Sequence, residues 1–264
     1  MSLVPYKRNI AEEKKILEEL LKEPAGDDDG SGQGSAVFSI TKTAEHFRIA
    51  GMLLENKTFT YDLDRNYDPK TAHTQEEWSA LRNKAQPKNG FYAGTAPEYY
   101  AVCKALHKNK NDARFKGIIE EARTYLQDVL KQQNPYIMTL SHAKYNPTGL
   151  DEITHDYGTK ESKKPKPAKL AGPNGYITDK TKNAQSYCQA VFGTTDTVEQ
   201  INEVFKWITG KETYAYRINQ TQNQQERVVA LGVVFVIVTY VDVGNVGPAL
   251  GVRRARENSI GNEG

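Results

Sequence analysis

Histidine and carboxylate side chains are the first residues of this chain that could carry chemistry. The five histidines are His46, His73, His107, His142 and His155. No two of them stand at the helical spacing of a zinc site. His142 and His155 fall on neighbouring predicted strands with Asp151 and Asp156 nearby, and two histidines with one carboxylate can bind iron. A hydrogen-bonded structural role is the alternative for each histidine and the one we favour, so we predict no metal site.

A calcium loop is the second candidate, because Asp62, Asp64 and Asn66 place oxygen ligands at alternate positions. Such a loop needs Gly at its sixth position and Glu at its twelfth. Tyr67 and His73 occupy these two positions. The spacing therefore fails, and we interpret this stretch as a polar turn.

The remaining patterns do not make a catalytic site either. Gly26–Gly34 neither follows a predicted strand nor ends in Lys-Ser or Lys-Thr, as a phosphate-binding loop would. Cys103 and Cys188 are the only cysteines, form no spaced motif and lie on predicted helix faces, where burial of the thiol is usual. We therefore predict no catalytic residue, no cofactor and a reducing compartment.

The overall composition limits the classes of partner. The chain has 264 residues, a net charge of +2 and 26% charged residues, so it can bury a core and has no excess of positive charge for nucleic acid. No basic-then-apolar leader opens the sequence, so we expect no signal peptide. The apolar run Val228–Val241 is shorter than the roughly 18–20 residues that span a bilayer. We expect no membrane insertion, and a cytoplasmic or virion-associated location.

Capping and periodicity predict the helices that would position the candidate residues. Thr74-x-x-Glu77 and Thr95-x-x-Glu98 are capping boxes. Apolar residues at helical spacing predict a long amphipathic helix over 112–130. We also predict a short strand over 36–40 and a helix over 43–54, which makes 36–135 a mostly helical region.

The character of the sequence changes after Pro135. Asp196-x-x-Glu199 and Thr197-x-x-Gln200 both offer a cap at the start of a helix there, and Gly193 and Gly210 mark helix ends. We predict strands over 136–140, 151–156 and 212–219, and a helix over 186–192. A second helix carries Ile201, Val204 and Phe205 and ends at Gly210. The basic stretch 160–169 is predicted to be a solvated loop. The predicted class is α+β. The predicted regions are an N-terminal helix and flexible linker (1–35), the mostly helical region (36–135), a C-terminal domain (136–256) and a tail (257–264).

One segment differs from the rest in composition. Val233–Gly247 has fifteen residues, of which seven are Val, and it contains no Lys, Glu, Gln, Met or Trp. Both alternating faces of its first part are apolar, which is typical of a central strand pair buried on both sides. However, its valines continue among the turn formers Gly244, Asn245 and Gly247, where valine has no propensity to occur. A cause other than burial is therefore needed.

The flanks of this segment resemble a known family. ERVV (226–229) and PALGVR (248–253) bracket it, and DEITHDYGT (151–159) and INEVFKWITGKETYAYRIN (201–219) precede it. Over about residues 136–256 the chain resembles the variable proteins of diversity-generating retroelements, of the microbial and archaeal-viral type. In that family a reverse transcriptase makes errors at template adenines, so that Asn codons become other codons ending in a pyrimidine. Such codons cannot encode Lys, Glu, Gln, Met or Trp, and every residue of the segment belongs to the permitted set.

The resemblance implies a C-type lectin-like fold of the formylglycine-generating-enzyme variety, with a variable region at about 228–253. It places Trp207, Leu250, Val252 and Arg253 in the invariant scaffold. It makes Phe235, Ile237 and Tyr240 anchors of an apolar patch that binds a ligand. The implied variable, ligand-binding positions are Val233, Val234, Phe235, Val236, Ile237, Val238, Tyr240, Val241, Asp242, Val243, Asn245 and Val246.

The expected function is therefore non-enzymatic binding of an unknown protein ligand or receptor through a hypervariable patch. Two alternatives stay open. The chain could be a viral structural or assembly protein that uses the valine-rich run as an oligomer interface. It could also be an oxidase on a related fold, but that enzyme needs a redox or copper-binding cysteine pair, and Cys103 and Cys188 lie outside the expected C-terminal site. The ligand and the oligomeric state stay open at this point.

Overall fold

A computed structural model describes most of the chain from Val37 onward. The described residues are 37–54, 57–131, 136–145, 151–156, 158, 166–168, 175–178, 180–181, 183–211, 214–217, 225–232, 235–238, 241–242 and 244–255. For strand residues 166–168, 175–176, 214–217, 225, 235–238 and 241–242, the backbone alone is described. The predicted N-terminal helix and linker (1–35) and the tail (257–264) lie outside the described residues.

Helices form where local capping signals predict them. The described helices are α1 Gln75–Ala85, a 3₁₀ helix Gln86–Lys88, α2 Ala96–Lys108, α3 Lys116–Lys131, α4 Ala184–Phe192 and α5 Val198–Thr209. The capping boxes of Thr74, Thr95 and Thr197 are confirmed, because each hydroxyl accepts a backbone N–H three residues on and each cap N–H is bonded in return. Gly193 and Gly210 end α4 and α5 in the left-handed conformation, as predicted.

The described strands are short apart from two pairs near the middle of the two larger sheets. They are β1 Ser39–Lys42, β2 His46–Leu54, β3 Lys57–Asp64, β4 Ala72–His73, β5 Tyr92–Ala93, β6 Ile137–Tyr145, β7 Asp151–His155, β8 Lys166–Ala168, β9 Gly175–Ile177, β10 Tyr214–Arg217, β11 Gln225–Leu231, β12 Phe235–Val238, β13 Val241–Asp242, β14 Gly247–Pro248 and β15 Gly251–Arg254.

These strands form four sheets in the described part of the chain. Their orders are β1-β2-β3-β15-β5, β13-β11-β6-β7-β8, β12-β10-β9 and β14-β4. All pairings are antiparallel except β10 with β12, which is parallel. Separate helices packed with mainly antiparallel sheets confirm the α+β class.

The last strand joins the two halves of the sequence. β15 lies between β3 and β5, so residues from 36–135 and from 136–256 share one sheet. They also share the main core, which runs from Ile40 to Val252. Residues Ser35–Gly264 form one compact unit. The predicted division at 135/136 is therefore not a boundary between separately packed bodies.

The helix predicted over 43–54 is wrong, since β2 occupies most of this range. Phe47 and Ile49 are buried while Arg48 between them points to the other face, which is the two-residue period of a strand. Gly51 has φ +72°, and the register against β3 shifts there, so the strand carries a bulge. The apolar residues of this range also fit one face of a helix. The range forms a strand because it pairs with β1 and β3.

Three smaller predictions need correction. The polar turn predicted at Asp62–Asn66 begins later, because Asp62 and Asp64 belong to β3 and Asp62 is fully buried. The basic loop predicted over 160–169 contains the strand β8. The long helix begins at Lys116 rather than at Asp112, although its predicted apolar face is buried.

Two cores fill the space between these layers. The larger one packs β2, β3, α2, α3, α5 and β15 around residues such as Phe47, Tyr61, Tyr100, Ile119 and Phe205. A smaller cluster lies on the other face of β6 and β11, where Met138, Val228 and Ala230 pack with the half-buried rings of Trp78 and Tyr136. Since β6 and β11 contribute to both cores, these two strands are buried on both faces.

Candidate functional site

The valine-rich segment, Val233–Gly247, is divided between two sheets. Phe235, Val236, Ile237 and Val238 form β12, which is the last strand of the order β12-β10-β9. Val241 and Asp242 form β13, which is the last strand beside β11. Neither is a central strand within the described sheets, so the predicted central strand pair is not found there. Val233, Val234, Tyr240 and Val243 lie outside the described residues.

The stretch before the segment is part of the frame. Val228, Val229 and Ala230 have no exposed surface, and Leu231 is also buried. β11 lies between β6 and β13, and its residues pack in both cores. Val228–Leu231, the first residues of the predicted variable region of about 228–253, are therefore buried parts of the frame.

The end of the segment is exposed. Gly244, Asn245 and Val246 are all exposed, and Val246 shows 58% of its surface to solvent. Among residues of 228–253 whose side chains are described, these three alone are classed as exposed. Asn245 and Val246 are thus the two predicted ligand-binding positions whose accessibility the described side chains establish.

Gly247 is held at the point where exposure ends. The indole Nε1–H of Trp78 donates to the Gly247 carbonyl at 2.8 Å. Gly247 also pairs with His73, whose ring meets the Trp78 ring edge-on at 4.7 Å. A Cβ at Gly247 would lie 2.8 Å from Cγ of Met138 and 2.9 Å from the Tyr136 ring. Close backbone approach therefore requires glycine here and fixes the end of the segment.

The residues after Gly247 are anchored in the main core. Leu250 and Val252 are 1% and 0% exposed. Tyr99 Oη donates to the Leu250 carbonyl and accepts from the Gly94 N–H at 2.8 Å. Leu250 and Val252 are therefore core residues, as a structural role requires.

Arg253 belongs to a buried ion cluster. Asp62 has no exposed surface and is bound by two guanidiniums, with Arg48 Nε at 2.8 Å and Arg253 Nε at 3.0 Å. Burial by itself would raise the pKa of Asp62, but the hydrogen bonds and charges of the two arginines hold it below its ordinary value. The cluster ties β2, β3 and β15 together, so Arg253 makes a structural contact within this sheet.

A second buried cluster lies next to the first. Arg82 donates to Glu98 at 3.3 Å and pairs with Asp156 at 2.7 Å, and all three residues are buried. The guanidinium of Arg82 also stacks on the Tyr92 ring at 4.4 Å. Sequence reasoning missed this cluster. Glu98 was recognised only as part of the capping box of α2. The other members of the cluster are Arg82 in α1 and Asp156 directly after β7, which are far from Glu98 in sequence.

The two-histidine arrangement that was conceivable from the sequence, though not favoured, does not form. His155 pairs across the sheet with Ser141, and His142 pairs with Thr154, so the two imidazoles project from opposite faces. His155 is buried, with Nε2 3.0 Å from the Ala190 carbonyl and Nδ1 2.9 Å from Ser141 Oγ. A carbonyl can only accept, so Nε2 carries the proton and Nδ1 accepts from the serine. This is a structural hydrogen bond, because Ser141 has no exposed surface from which to attack a substrate.

The cysteines are buried on helices. Cys103 in α2 and Cys188 in α4 are 6% and 1% exposed, and both are free thiols. Burial raises the pKa of each to about 12. Neither thiol is therefore poised as a nucleophile at neutral pH.

Metal-binding clusters and membrane-spanning helices are both absent from the described part of the chain. No group of three or more His, Cys, Asp or Glu side chains there could hold a metal ion. Its helices are all too short or too polar to cross a membrane.

Among the described residues, an exposed surface and a polar cavity could receive a ligand. The surface is the exposed end of the valine-rich segment, and the cavity lies between the two ion clusters. Comparison of this chain with family models, curated proteins and solved structures found no match.

Proposed function

We propose that this chain is a non-enzymatic binding protein. It displays the valine-rich segment as a variable surface on a C-type lectin-like scaffold, and its partner is a protein ligand or receptor. One observation carries the proposal. A segment of restricted composition leaves β11, which is buried on both faces, presents an exposed end at Gly244–Val246 and returns to a backbone fixed by Trp78.

The arrangement suits a surface that must change without unfolding the protein. A substitution at an exposed position away from buried contacts changes stability by no more than about 0.5 kcal/mol. The frame on either side does not depend on such positions, because its stability comes from β11, from Leu250 and Val252, and from the Asp62 cluster. Sequence change can therefore be confined to the segment.

The composition supports the same proposal. All fifteen residues of Val233–Gly247 are ones that mutated Asn codons can encode, as expected from the resemblance to retroelement variable proteins. In this copy the patch is apolar, and Phe235, Ile237 and Tyr240 are the proposed anchors. Exposed apolar patches and aromatic anchors are typical of protein–protein interfaces.

The competing oxidase has little support from the chain's own residues. Such an enzyme needs an accessible cysteine pair, whereas Cys103 and Cys188 are both buried in helices. We therefore propose binding rather than catalysis.

The DNA of the locus is the decisive test. We expect the codons of 233–247 to match a nearby repeat that differs from them only at adenines, with a reverse transcriptase gene beside it. Sequencing a population should show substitutions in these codons and none in the codons of 228–231. If neither a repeat nor a reverse transcriptase is present, diversification is wrong.

The oligomeric state in solution distinguishes a self-assembly role of the segment from binding of a separate ligand. Replacing Phe235 and Ile237 together by Ser should leave the mass in solution unchanged if the segment faces a separate ligand. If instead the wild-type chain is an oligomer that these changes dissociate, the segment is a self-assembly interface. Light scattering after size-exclusion chromatography measures this directly, and Val37→Ser, an exposed residue far from the segment in sequence, is the matched control.

A further inference from the structure

We propose that a polar cavity beside β15 binds a single carboxylate group. The cavity, called here the Arg254 pocket, has a volume of about 190 Å³, and its lining includes Arg82, Gln86, Tyr92, Glu98, Arg253 and Arg254. A water molecule needs about 10–15 Å³ of such space, so the cavity has room for several waters or for one small acid. This inference does not depend on the proposed function.

The charges around the pocket leave one positive charge without a partner. In the first cluster Asp62 is shared by Arg48 and Arg253. In the second, Arg82 is shared by Glu98 and Asp156. These two clusters together are neutral, and the remaining guanidinium is that of Arg254.

Arg254 is held in place without a carboxylate. Its guanidinium stacks on the Phe59 ring at 4.0 Å, and one nitrogen lies 3.4 Å from Tyr61 Oη. Within the described residues, no carboxylate oxygen forms an ion pair with it. An arginine fixed by aromatic contacts keeps its fork of donors free for an anion.

The cavity wall contributes further recognition. Tyr61 Oη donates to Glu98 at 3.1 Å, so its lone pairs face Arg254, and Tyr92 Oη accepts from the Arg254 backbone N–H at 3.3 Å. Arg82 keeps one buried donor, Nε, without a hydrogen-bond partner among the described atoms. The polar groups of the pocket are therefore already positioned in the absence of a ligand.

A carboxylate fits these features better than a phosphate. Its two oxygens match the planar fork of a guanidinium, and its single charge balances the single excess positive charge. A phosphate carries up to about two negative charges at neutral pH, which would leave a negative charge next to Glu98. The carboxylate could come from a small free acid or from the C-terminus of a peptide, and the two sources share this chemistry.

Titration of the full-length chain with model compounds tests the proposal. The probes are acetate, N-acetylglycine as a mimic of a peptide C-terminus, N-acetylglycinamide without the carboxylate, and inorganic phosphate, all at constant ionic strength. Binding is measured by calorimetry and by the shift of the thermal midpoint. We expect saturable binding of at least one carboxylate, none of the amide, and weaker binding of phosphate. Tighter binding of N-acetylglycine than of acetate indicates a peptide C-terminus, and equal binding indicates a free acid.

Three variants locate the site. Arg254→Gln should raise the Kd of the carboxylate at least tenfold, and Arg254→Lys should raise it less, because lysine keeps the charge and loses the fork. Arg114→Gln, at a distant loop arginine, should leave the Kd unchanged. If Arg254→Gln disturbs the near-ultraviolet circular dichroism, Gln86→Glu tests the pocket with Arg254 intact and should also weaken binding by adding a competing carboxylate. Equal Kd values for wild type, Arg254→Lys and Gln86→Glu, or equal binding of the amide, would overturn the proposal.

Discussion

Asp62 illustrates how burial changes what a residue does. Its spacing with Asp64 and Asn66 imitates a calcium loop, yet it is enclosed by Arg48 and Arg253. Asp64 instead accepts the Asn66 backbone N–H at 2.9 Å, which forms a local turn. The carboxylates are thus used for ion pairing and for a turn, and the ion pair stabilises the strand that ends the described fold.

Removing the Asp62 charge should be costly. Asp62→Asn leaves the guanidiniums of Arg48 and Arg253 without a balancing charge beside a fully buried side chain. We expect a loss of about 1–3 kcal/mol in the free energy of unfolding, because Arg48 is 37% exposed and solvent screens part of its charge. Urea unfolding at neutral pH measures it. Asp68→Asn, at an exposed aspartate of the following turn, is the control and should change stability by no more than about 0.5 kcal/mol. A loss of similar size in both variants would contradict the role assigned to Asp62.

The same cluster predicts acid sensitivity at low pH. The pKa of Asp62 in the folded chain lies below its ordinary value of 3.8, so the unfolded chain binds the proton first. The stabilisation is therefore present above about pH 4 and is lost as the pH falls through the folded pKa. Wild type should lose stability over this range more steeply than Asp62→Asn, as urea titrations at successive pH values would show.

His46 predicts a separate change nearer neutrality. Burial is the main cause that lowers its pKa below 6.5, and the charges of Arg253 and Arg48 act in the same direction while Asp62 opposes them. The unfolded chain takes up a proton near pH 6.5 that the folded chain binds only at lower pH. The free energy of unfolding should therefore fall as the pH drops from about 7.5 to about 5.5. His46→Gln should show a smaller fall, and an unchanged slope would show that His46 is not responsible.

Among the helices and strands, those specified by local sequence were predicted correctly, whereas a strand specified by its pairing partners was not. The caps of α1, α2 and α5 depend on residues three apart, and all three are confirmed. The strand β2 depends on partners β1 and β3, and its sequence was interpreted as a helix. Local hydrogen bonds can be recognised within a short window, whereas a strand is specified by a second strand that the window does not contain.

The contact between α1 and β14 gives a prediction at this scale. Trp78→Phe keeps a ring in the small core but removes the Nε1–H bond to Gly247, which should cost about 1 kcal/mol. Amides of 244–248 should then exchange with deuterium faster, because the end of the segment is no longer fixed. Trp207→Phe is the matched control, since the only other tryptophan packs near α3, with Arg123 over its ring. Equal acceleration in both variants would show that Trp78 has no special part in holding the segment.

At the scale of the whole molecule, stability and display are separated along a short stretch of sequence. Val246 is 58% exposed, and Leu250, four residues later, is 1% exposed. The transition occurs at Gly247, where the chain passes between Trp78 and Met138. We therefore expect substitutions at the exposed residues before Gly247 to be tolerated, and substitutions at the buried residues after it to destabilise the fold.

Truncating the two residues should show this difference. Leu250→Ala removes a buried side chain and should cost about 2–5 kcal/mol. Val246→Ala should change stability by no more than about 0.5 kcal/mol. Thermal and urea unfolding compare the two under the same conditions. A cost for Val246→Ala close to that for Leu250→Ala would mean that the end of the segment belongs to the core.

The sequence by itself determined the features that depend on neighbouring residues. The α+β class, the capped helices and the buried cysteines all follow from spacing and side-chain chemistry within a few residues. The unusual composition of Val233–Gly247 is also visible there, and so is the resemblance on which the proposed diversification depends. Such features need no knowledge of distant contacts.

Tertiary structure decided everything that depends on residues far apart in the chain. It placed β15 between β3 and β5, enclosed Asp62 between Arg48 and Arg253, and built the Arg254 pocket from α1, α2 and β15. It also separated buried Val228 from exposed Val246, although both belong to the same valine-rich part of the sequence. The physical reason is that burial and charge pairing are properties of the whole packed chain. A valine side chain is chemically the same whether it packs against a strand or faces solvent, so its type alone does not determine its exposure.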